Sequence, residues 1–431
     1  MRGNEFLDVV REATSGSSEV IELNDQSSVA RMRGRASTAS IETPVVQMRL
    51  ADVDGFLEWE EATGAAPELN LFRGPATSSE NATLELKFDR LPPSAVTGFL
   101  EKRDATLTPS RGLRRYDPVT RTLADSIFPV DGEALILVHG TFSKGENILS
   151  GFFETKQGGA FLTQACERYR GNVFTFDHPT LSVSPILNAI DLQRILTGSR
   201  ARIRLVSHSR GGLVARWWCE TFDPLGDRCD RAVLVGSPLA GTGLAAPPNI
   251  RQTIHLLTQL SKALQVTTGL TALAVPVFSV VEALLRVVTS ITGFAAKTPA
   301  VDAAMAMVPG LFAMSRVGNN PELGRLLAHS ERPERYFGVE SNFEPSAPGW
   351  RFWRHFRPAN LADHATDVLF DGANDLVVDT PSMSRLTDET RIAPENRLDF
   401  GTSETVHHLN YFSQPQTIEF LADTLLSSRS G

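Results

Sequence analysis

The hydrophobic pattern of the chain changes near residue 130. Before that point, apolar and polar residues alternate in short runs, as at residues 84–89, and such a period of two is typical of half-buried strands. Two further runs of strand type, residues 19–23 and 45–50, are separated from it by clusters of Ser, Thr, Gly and Pro. We therefore predict that residues 1–125 form a small β-rich domain with one or two helices.

After a polar, arginine-rich connection at residues 105–130, apolar runs alternate with helical segments. The apolar runs are continuous, which is the pattern of parallel strands buried on both faces. Their alternation with helical segments, such as residues 161–169 and 185–196, predicts a doubly wound, mostly parallel α/β sheet. The predicted strands are residues 134–138, 172–176, 203–206, 232–235 and 336–339.

A strongly apolar helical stretch interrupts this alternation at residues 243–333. The uncharged window between Lys262 and Glu282 approaches the length of a membrane span, about 20 residues, but polar residues dilute it and Arg286 follows soon after. We therefore predict a helical cap or lid, inserted between strands of an α/β domain that covers residues 126–431.

Composition narrows the classes of function. The chain has 431 residues and a formal net charge of −8, which argues against a nucleic-acid partner, because a phosphate-binding surface needs a basic face. Three cysteines do not form a disulfide framework, so we expect reduced, buried thiols. The N-terminus has no apolar stretch of signal-peptide length, which favours a cytoplasmic protein. Because neither H-E-x-x-H nor C-x-x-C occurs, we expect no metal and no other cofactor.

A strand, a sharp turn and a helix are predicted around Ser209. The strand-like run 203–206 precedes the pentapeptide 207–211, which reads S-H-S-R-G, and the apolar run 213–218 follows it. This order is that of a nucleophile elbow, in which a strained turn exposes one serine above the edge of a sheet. Ser207 stands where such elbows usually carry their first glycine, and an ordinary strand–helix turn is the alternative interpretation.

A second motif, His139-Gly140-Thr141, follows the buried run 134–138. A tight turn directly after a strand can aim the next backbone N–H at a developing oxyanion. We assign the first oxyanion donor to the amide of Thr141. The second donor is the amide of Arg210, the residue after the candidate nucleophile. His139 itself is expected to brace the loops.

An acid and a histidine follow in the order that a serine triad needs in this architecture. Asp375 comes after a turn that contains Gly and Asn and before an apolar run, and Asp371 is the rival acid in the same loop. Near the C-terminus, His407 and His408 precede a predicted helix. We favour His408 as the base for its distance from that helix, with His407 as the alternative base.

Taken together, these motifs resemble the α/β-hydrolase fold family in its lipase and esterase branch, and they are similar to bacterial triacylglycerol lipases. The resemblance runs over residues 134–425 and includes residues 235–242, V-G-S-P-L-A-G-T, a frequent companion of the lipase elbow. It implies an α/β-hydrolase fold and a serine hydrolase with the triad Ser209, Asp375 and His408. The motifs are specific for the fold and for serine chemistry, but they do not identify the substrate.

The apolar insertion makes a lipid or another long-chain acyl ester the expected substrate, since each CH₂ group that leaves water contributes about 0.8 kcal/mol. Thioester or amide cleavage uses the same triad. Another hypothesis is an interaction module or effector with a hydrolase fold, whose activity is gated by the N-terminal domain or by a partner. We also expect transient contact of the apolar cap with a membrane surface and a protein partner for residues 1–125.

Overall fold

The computed structural model describes most of the chain, and its residues form two compact units. One unit comprises Met1–Phe99, Ile250–Met307 and Pro348–Phe356, and the other comprises Leu100–Asn249, Val308–Ala347 and Arg357–Gly431. The described residues are 4–22, 45–53, 56–62, 82–246, 249–268, 271–291, 306–316, 318, 320–346, 350, 352, 369–370 and 372–427.

Helices and strands are numbered in chain order. The strands are β1 (Glu19–Glu22), β2 (Val45–Val53), β3 (Phe56–Glu61), β4 (Ala82–Asp89), β5 (Gly112–Asp117), β6 (Thr122–Asp125), β7 (Glu133–Val138), β8 (Val173–Asp177), β9 (Arg202–His208), β10 (Cys229–Val235), β11 (Tyr336–Phe343) and β12 (Arg397–Ser403). The helices are α1 (Asn4–Ala13), α2 (Val96–Leu107), α3 (Gly145–Phe153), α4 (Lys156–Arg168), α5 (Pro185–Leu196), α6 (Gly211–Phe222), α7 (Ile250–Thr268), α8 (Thr271–Ile291), α9 (Pro309–Phe312), α10 (Pro321–Ala328), α11 (Thr380–Met383) and α12 (Pro415–Leu425). Within the described ranges, none of the helices is both long enough and apolar enough to cross a membrane.

The first unit contains an antiparallel sheet with the strand order β1–β4–β2–β3. The three runs of strand type that the sequence predicts coincide with β1, β2 and β4, except that Leu23 lies outside the described residues. Burial alternates along these strands as a period of two requires: Met48 and Leu50 of β2 are buried, as are Leu86 and Phe88 of β4. The sheet therefore has one apolar face that needs a cover.

The long helices α7 and α8 pack with this N-terminal sheet. The indole Nε1–H of Trp59 on β3 donates to Thr258 Oγ1 at 2.9 Å, and the Trp59 backbone N–H donates to His255 Nδ1 at 3.3 Å. The sequence predicted the helical insertion, at residues 243–333, as part of the α/β domain. Instead, residues 250–307 form one unit with the N-terminal sheet, because both carry an apolar face and each buries that of the other.

The second unit contains an eight-stranded sheet with the order β12–β11–β10–β9–β7–β8–β5–β6. The strands from β12 to β8 are parallel to their neighbours, whereas β5 is antiparallel to both β8 and β6. Helices α3 to α6 and α12 connect or follow these strands. This doubly wound order, with a sharp turn between β9 and α6, is the α/β-hydrolase fold, and it confirms the predicted fold class.

The polar connection predicted at residues 105–130 is wrong, because it contains β5 and β6 of the large sheet. Arg114 of β5 is satisfied by acidic side chains distant in sequence: its guanidinium contacts Glu146 and lies 3.2 Å from Asp177 Oδ2. The strand β5 was not predicted because its charged residues resemble those of a polar connection. The compact units also divide at residue 99, earlier than the predicted boundary at residue 125.

Candidate active site

Ser209 occupies the sharp turn between β9 and α6. Its φ is 53°, a left-handed conformation that costs a non-glycine residue about 1–3 kcal/mol and is found mainly where function requires it. The Ser209 backbone N–H donates to Val235 O at 2.9 Å, which holds the turn against the end of the neighbouring strand β10. The local structure is therefore the strand–turn–helix elbow that the sequence predicts.

Close packing around the elbow explains its glycines. A Cβ at Gly211 would lie 2.5 Å from Val138 O, and a Cβ at Gly212 would lie 2.1 Å from Ser237 Oγ, so neither position accepts a side chain. Ser207, in the place of the usual first glycine, is buried in β9 and donates its hydroxyl to Val233 O at 3.3 Å. The departure from the usual elbow sequence thus leaves a satisfied buried hydroxyl and does not disturb the turn.

Asp375 and His408 form a buried hydrogen-bonded pair. His408 Nδ1 lies 2.8 Å from Asp375 Oδ2, and the His408 backbone N–H donates to Asp375 O at 2.9 Å. The other carboxylate oxygen, Oδ1, accepts from the backbone N–H groups of Val377 and Val378 at 3.1 and 2.9 Å. These bonds orient the imidazole as a general base requires. Asp371, the rival acid, lies outside the described residues.

A tyrosine that sequence reasoning missed completes the surroundings of the acid. Tyr411 is fully buried, and its hydroxyl donates to Asp375 Oδ2 at 2.9 Å, the same oxygen that faces His408. Burial and the adjacent carboxylate raise the pKa of Tyr411 well above its ordinary value, so the hydroxyl keeps its proton. The available signal was its position, three residues after His408 in the same loop.

His407, the alternative base, makes different contacts. Its Nδ1 accepts from the Leu409 backbone N–H at 3.3 Å, and its ring lies 5.2 Å from that of Phe343. Desolvation lowers the pKa of His407 to about 4. Because His408 makes the hydrogen bond to the Asp375 carboxylate, the geometry favours His408 as the base.

His208, the residue before Ser209, links the elbow to the loop of the candidate base. Its Nε2 lies 2.8 Å from His408 O, and since a carbonyl only accepts, Nε2 carries the proton. The two imidazole rings are 4.7 Å apart between centroids. Burial, reinforced by His408, lowers the pKa of His208 to about 3, so His208 is neutral near pH 7 and adds no charge beside the base.

Gly236 brings these parts together at the carboxyl end of β10. Its φ is 54°, and a Cβ there would lie 2.7 Å from Tyr411 Cε2, 3.2 Å from Asp375 Oδ2 and 3.3 Å from His408 Nδ1. The Ser209 backbone N–H donates a hydrogen bond to the carbonyl of Val235, the residue before Gly236. The structure thus places the elbow and the acid–base pair beside the same turn of the sheet, where open α/β folds bind ligands.

The His-Gly turn packs directly on the candidate nucleophile. A Cβ at Gly140 would lie 2.7 Å from Ser209 Cβ, so only glycine lets the turn approach this closely. Among the residues that the structure describes, the amides of Thr141 and Arg210 donate no hydrogen bond. Two such amides beside a serine are suited to hold an oxyanion.

His139 braces this turn. Its Nε2 accepts from the His178 backbone N–H at 3.1 Å, so the proton is on Nδ1, which donates to Gly140 O at 2.9 Å. The ring stacks on His178 with centroids 4.1 Å apart. Complete burial lowers the pKa of His139 to about 4, and the neutral ring has both nitrogens engaged. It has no nitrogen left for proton transfer, as the sequence interpretation expected.

Asp104 is a second residue that sequence reasoning missed. Its fully buried carboxylate accepts from the backbone N–H groups of Thr180, Leu181 and Ser182 at 2.7–3.2 Å and from the Ser182 hydroxyl at 2.6 Å. The Thr180 hydroxyl in turn accepts from the Phe142 N–H at 3.3 Å. Asp104 therefore fixes the loop that supports the oxyanion turn, although nothing in the local sequence of α2 indicates this role.

The side chain of Arg210 links α9 to the loop that precedes α5. It is fully buried, donates Nε–H to Gly310 O at 3.2 Å and also contacts Val183 O through Nη2. Burial lowers the pKa of Arg210 to about 10, so the guanidinium stays charged at neutral pH. This anchoring holds the backbone next to Ser209, where the candidate oxyanion amide lies.

The three cysteines, Cys166, Cys219 and Cys229, are buried free thiols, as expected. Within the described part of the chain, no group of three or more His, Cys, Asp or Glu side chains is placed to hold a metal ion.

Comparison with known proteins gives low-identity structural matches and one family. The chain is similar to the Bacillus licheniformis lipase BlEst2 (16% identity over 70% of this chain and 94% of that one, TM-score 0.37). It is also similar to lipase 1 from Pelosinus fermentans (13% identity, 69% and 99% coverage, TM-score 0.40) and to an esterase from Thermogutta terrifontis (14% identity, 68% and 90% coverage, TM-score 0.32). No curated protein matches the chain. A family described as "Domain of unknown function (DUF7379)" matches residues 107–426, and the chain belongs to this family.

Proposed function

We propose that this protein is a serine hydrolase that cleaves carboxylic esters through Ser209, Asp375 and His408. The observation that carries the proposal is the buried Asp375–His408 hydrogen bond of 2.8 Å beside the strained Ser209 elbow. A left-handed serine at a strand–helix turn stores strain that an ordinary loop has no reason to keep. An oriented acid–base pair next to it supplies the proton acceptor that a serine hydroxyl needs.

The proposed reaction proceeds in two steps. His408 Nε2 takes the proton of the Ser209 hydroxyl while Oγ attacks the ester carbonyl, and the amides of Thr141 and Arg210 hold the oxyanion. His408 then protonates the departing alcohol as the acyl-enzyme forms. Water, activated by His408, releases the acid and restores the Ser209 hydroxyl. The Asp375 carboxylate stabilises the imidazolium in both steps.

We propose a lipid or another long-chain acyl ester as the substrate. Support comes from the apolar segment that approaches the oxyanion turn: the Thr141 hydroxyl lies 3.7 Å from Met314 Sδ, and Val308, Leu311 and Met314 are buried. An aliphatic chain gains about 0.8 kcal/mol for each CH₂ group that it buries on such a surface. Thioesters and amides are the competing substrate classes for the same triad.

A fluorophosphonate probe tests the nucleophile directly. The intact protein is expected to be labelled, Ser209→Ala to lose labelling, and Ser207→Ala, a matched buried serine near the end of β9, to retain it. No labelling of the wild-type protein, or equal labelling of Ser209→Ala, would contradict the proposal.

Substrate class is tested with p-nitrophenyl esters from acetate to palmitate, together with an acyl thioester and an anilide. The expected result is a kcat/KM that rises with acyl length and is highest for the oxygen esters. A kcat/KM that does not change with acyl length would reject the lipid substrate. Faster cleavage of the thioester or the anilide would identify a thioester or an amide as the substrate class.

A further inference from the structure

A cavity of about 550 Å³ lies in the second unit, beside the base of the loop that carries Asp375. Apolar side chains form much of its wall: Leu323 and Leu327 of α10, Ala373 of the acid loop, Ala240 after β10, and Pro381 of α11. As far as the chain is described, the residues that line it do not include Ser209, Asp375 or His408. The described lining of the cavity therefore does not overlap the candidate triad.

Three arginines from the described residues line this cavity, in a protein whose formal net charge is −8. Two of them face carboxylates: Arg316 Nη1 lies 3.5 Å from Asp379 Oδ2, and Arg385 Nη2 lies 2.6 Å from Asp388 Oδ1. Arg391 donates to Pro381 O at 2.8 Å. Within the described part of the chain, no carboxylate lies within 4.0 Å of the Arg391 guanidinium, so the described part of the wall carries an excess positive charge.

Backbone pairing holds two of these charges side by side. Arg385 and Arg391 are partners in an isolated antiparallel β-bridge, so their side chains leave the same face of that bridge. Like charges directly opposite each other are destabilising in such a pair. An oxyanion between two guanidinium groups removes the repulsion, and arginine binds carboxylate and phosphate through paired N–H donors.

We propose that this cavity is a binding site for an oxyanion, a carboxylate or a phosphate, whose apolar portion packs on Leu323 and Leu327. The oxyanion could belong to either of two ligands: free phosphate, or an amphipathic anion such as a fatty acid. The site is independent of the proposed hydrolase activity, because its described lining contains no member of the candidate triad.

The cavity also contacts the base of the acid loop. Thr380 N–H donates to Ala373 O at 2.8 Å, and Asn374 and Asp379 form an antiparallel bridge, so the loop closes at its base like a short hairpin. Ala373 and Asp379 line the cavity, while Asp375 lies nearer the tip. A bound anion therefore rests against the structure that holds the candidate acid.

Isothermal titration calorimetry of the full chain tests the site without any activity measurement. Decanoate, decyl phosphate and inorganic phosphate are titrated at constant ionic strength into the wild type, Arg391→Gln and Arg385→Gln. Either substitution is expected to weaken binding about tenfold or more, since it removes charged donors. Arg332→Gln is the matched control: Arg332 is a half-exposed arginine of the same unit, paired with Glu334 and outside the cavity.

A second variant fills the space and leaves the charges in place. A Cβ at Gly324 of α10, which lines the cavity, meets no atom within 4 Å, so a side chain can start there without a clash, and Gly324→Leu improves helix propensity. It is expected to weaken the decyl ligands at least tenfold. If inorganic phosphate is the one probe that binds saturably, the ligand of the site is free phosphate. No saturable binding of any probe, or equal weakening by Arg332→Gln, overturns the proposal.

Discussion

Replacing Tyr411 with phenylalanine tests whether the buried acid–base pair works as a tuned unit. The substitution removes only the hydroxyl that donates to Asp375 Oδ2 at 2.9 Å and keeps the ring that packs against Gly236. Without this donor, no tyrosine hydroxyl stabilises the negative charge on Asp375 Oδ2, and this charge attracts the protonated imidazole of His408 more strongly. A higher pH is then needed to generate the free base.

The size of this effect follows from the hydrogen bond that is lost. A hydrogen bond to a charged acceptor contributes about 1.5–3 kcal/mol, and the free energy of unfolding should fall by a similar amount. If about a third of that energy stabilises protonated His408, the acid limb of the pH–rate profile moves upward by roughly 0.4–0.7 pH units.

The assay is kcat/KM for a p-nitrophenyl ester between pH 4 and pH 9. The nearby histidines do not interfere, because desolvation places the pKa of His208 at about 3 and that of His407 at about 4, at or below the lower end of this range. The other groups that bear on Tyr411 are the carboxylates Asp375, Glu340 and Asp399. A shift of the acid limb between the wild type and Tyr411→Phe therefore reports on the loss of this hydroxyl.

Tyr336→Phe is the matched control. Tyr336 is also fully buried and donates to a carboxylate, Glu220 Oε1, at 2.7 Å, but it lies at the start of β11 and outside the site. It should lose stability to a similar degree and leave the acid limb in place. An unmoved or downward-shifted limb in Tyr411→Phe, or an equal shift in Tyr336→Phe, refutes the reasoning.

Three further predictions concern the elbow, the loop behind it and acid stability. Gly140→Ala should abolish fluorophosphonate labelling, since its Cβ would lie 2.7 Å from Ser209 Cβ, whereas Gly159→Ala, with its nearest atom 3.9 Å away, should be labelled normally. Asp104→Asn should lower the free energy of unfolding in urea by about 2–4 kcal/mol and kcat by at least tenfold, because it leaves buried N–H groups short of an acceptor; a loss of stability with unchanged kcat would refute the role assigned to this loop. As the pH is lowered from 6.5 to 4, the free energy of unfolding should decrease. Folding depresses the pKa of His139 to about 4 and that of His208 to about 3, so the unfolded chain binds more protons than the folded chain over this range. The decline is at most about 1.4 kcal/mol per pH unit for each histidine, and urea denaturation of His139→Gln, which should show a shallower decline, checks it.

The elbow and the His-Gly turn could be predicted because their constraints are local. A left-handed Ser209, the glycines behind it and the preceding buried strand lie within a few residues of one another, so the sequence records them directly. The candidate acid and base lie far apart in sequence, but Asp375 follows a turn that contains Gly and Asn, and His408 precedes a predicted helix. Their order along the chain predicts the pair, and in the structure His408 Nδ1 lies 2.8 Å from Asp375 Oδ2.

The supporting residues could not be predicted because their partners are distant in sequence. Asp104 binds backbone groups of residues 180–182, some 76–78 positions later, and any acidic residue on the surface of α2 would give the same local pattern. The strand β5 was missed for a related reason: Arg114 looks solvent-exposed until Glu146 and Asp177 are seen beside it. Only the assembled fold supplies these partners.

The first unit is built from segments that lie far apart in sequence, and this affects how the protein folds during synthesis. The sheet of β1 to β4 is complete at Asp89, but the helices that pack with it begin only at Ile250, and the bonded partners Trp59 and Thr258 are 199 residues apart. Until α7 and α8 leave the ribosome, Trp59 of that sheet lacks the partners that these helices supply. Non-local closure of this kind slows folding and leaves apolar surface open to aggregation. The nascent chain should therefore depend on chaperones over this interval, and a permuted chain that joins α7 and α8 directly to the N-terminal sheet should refold faster.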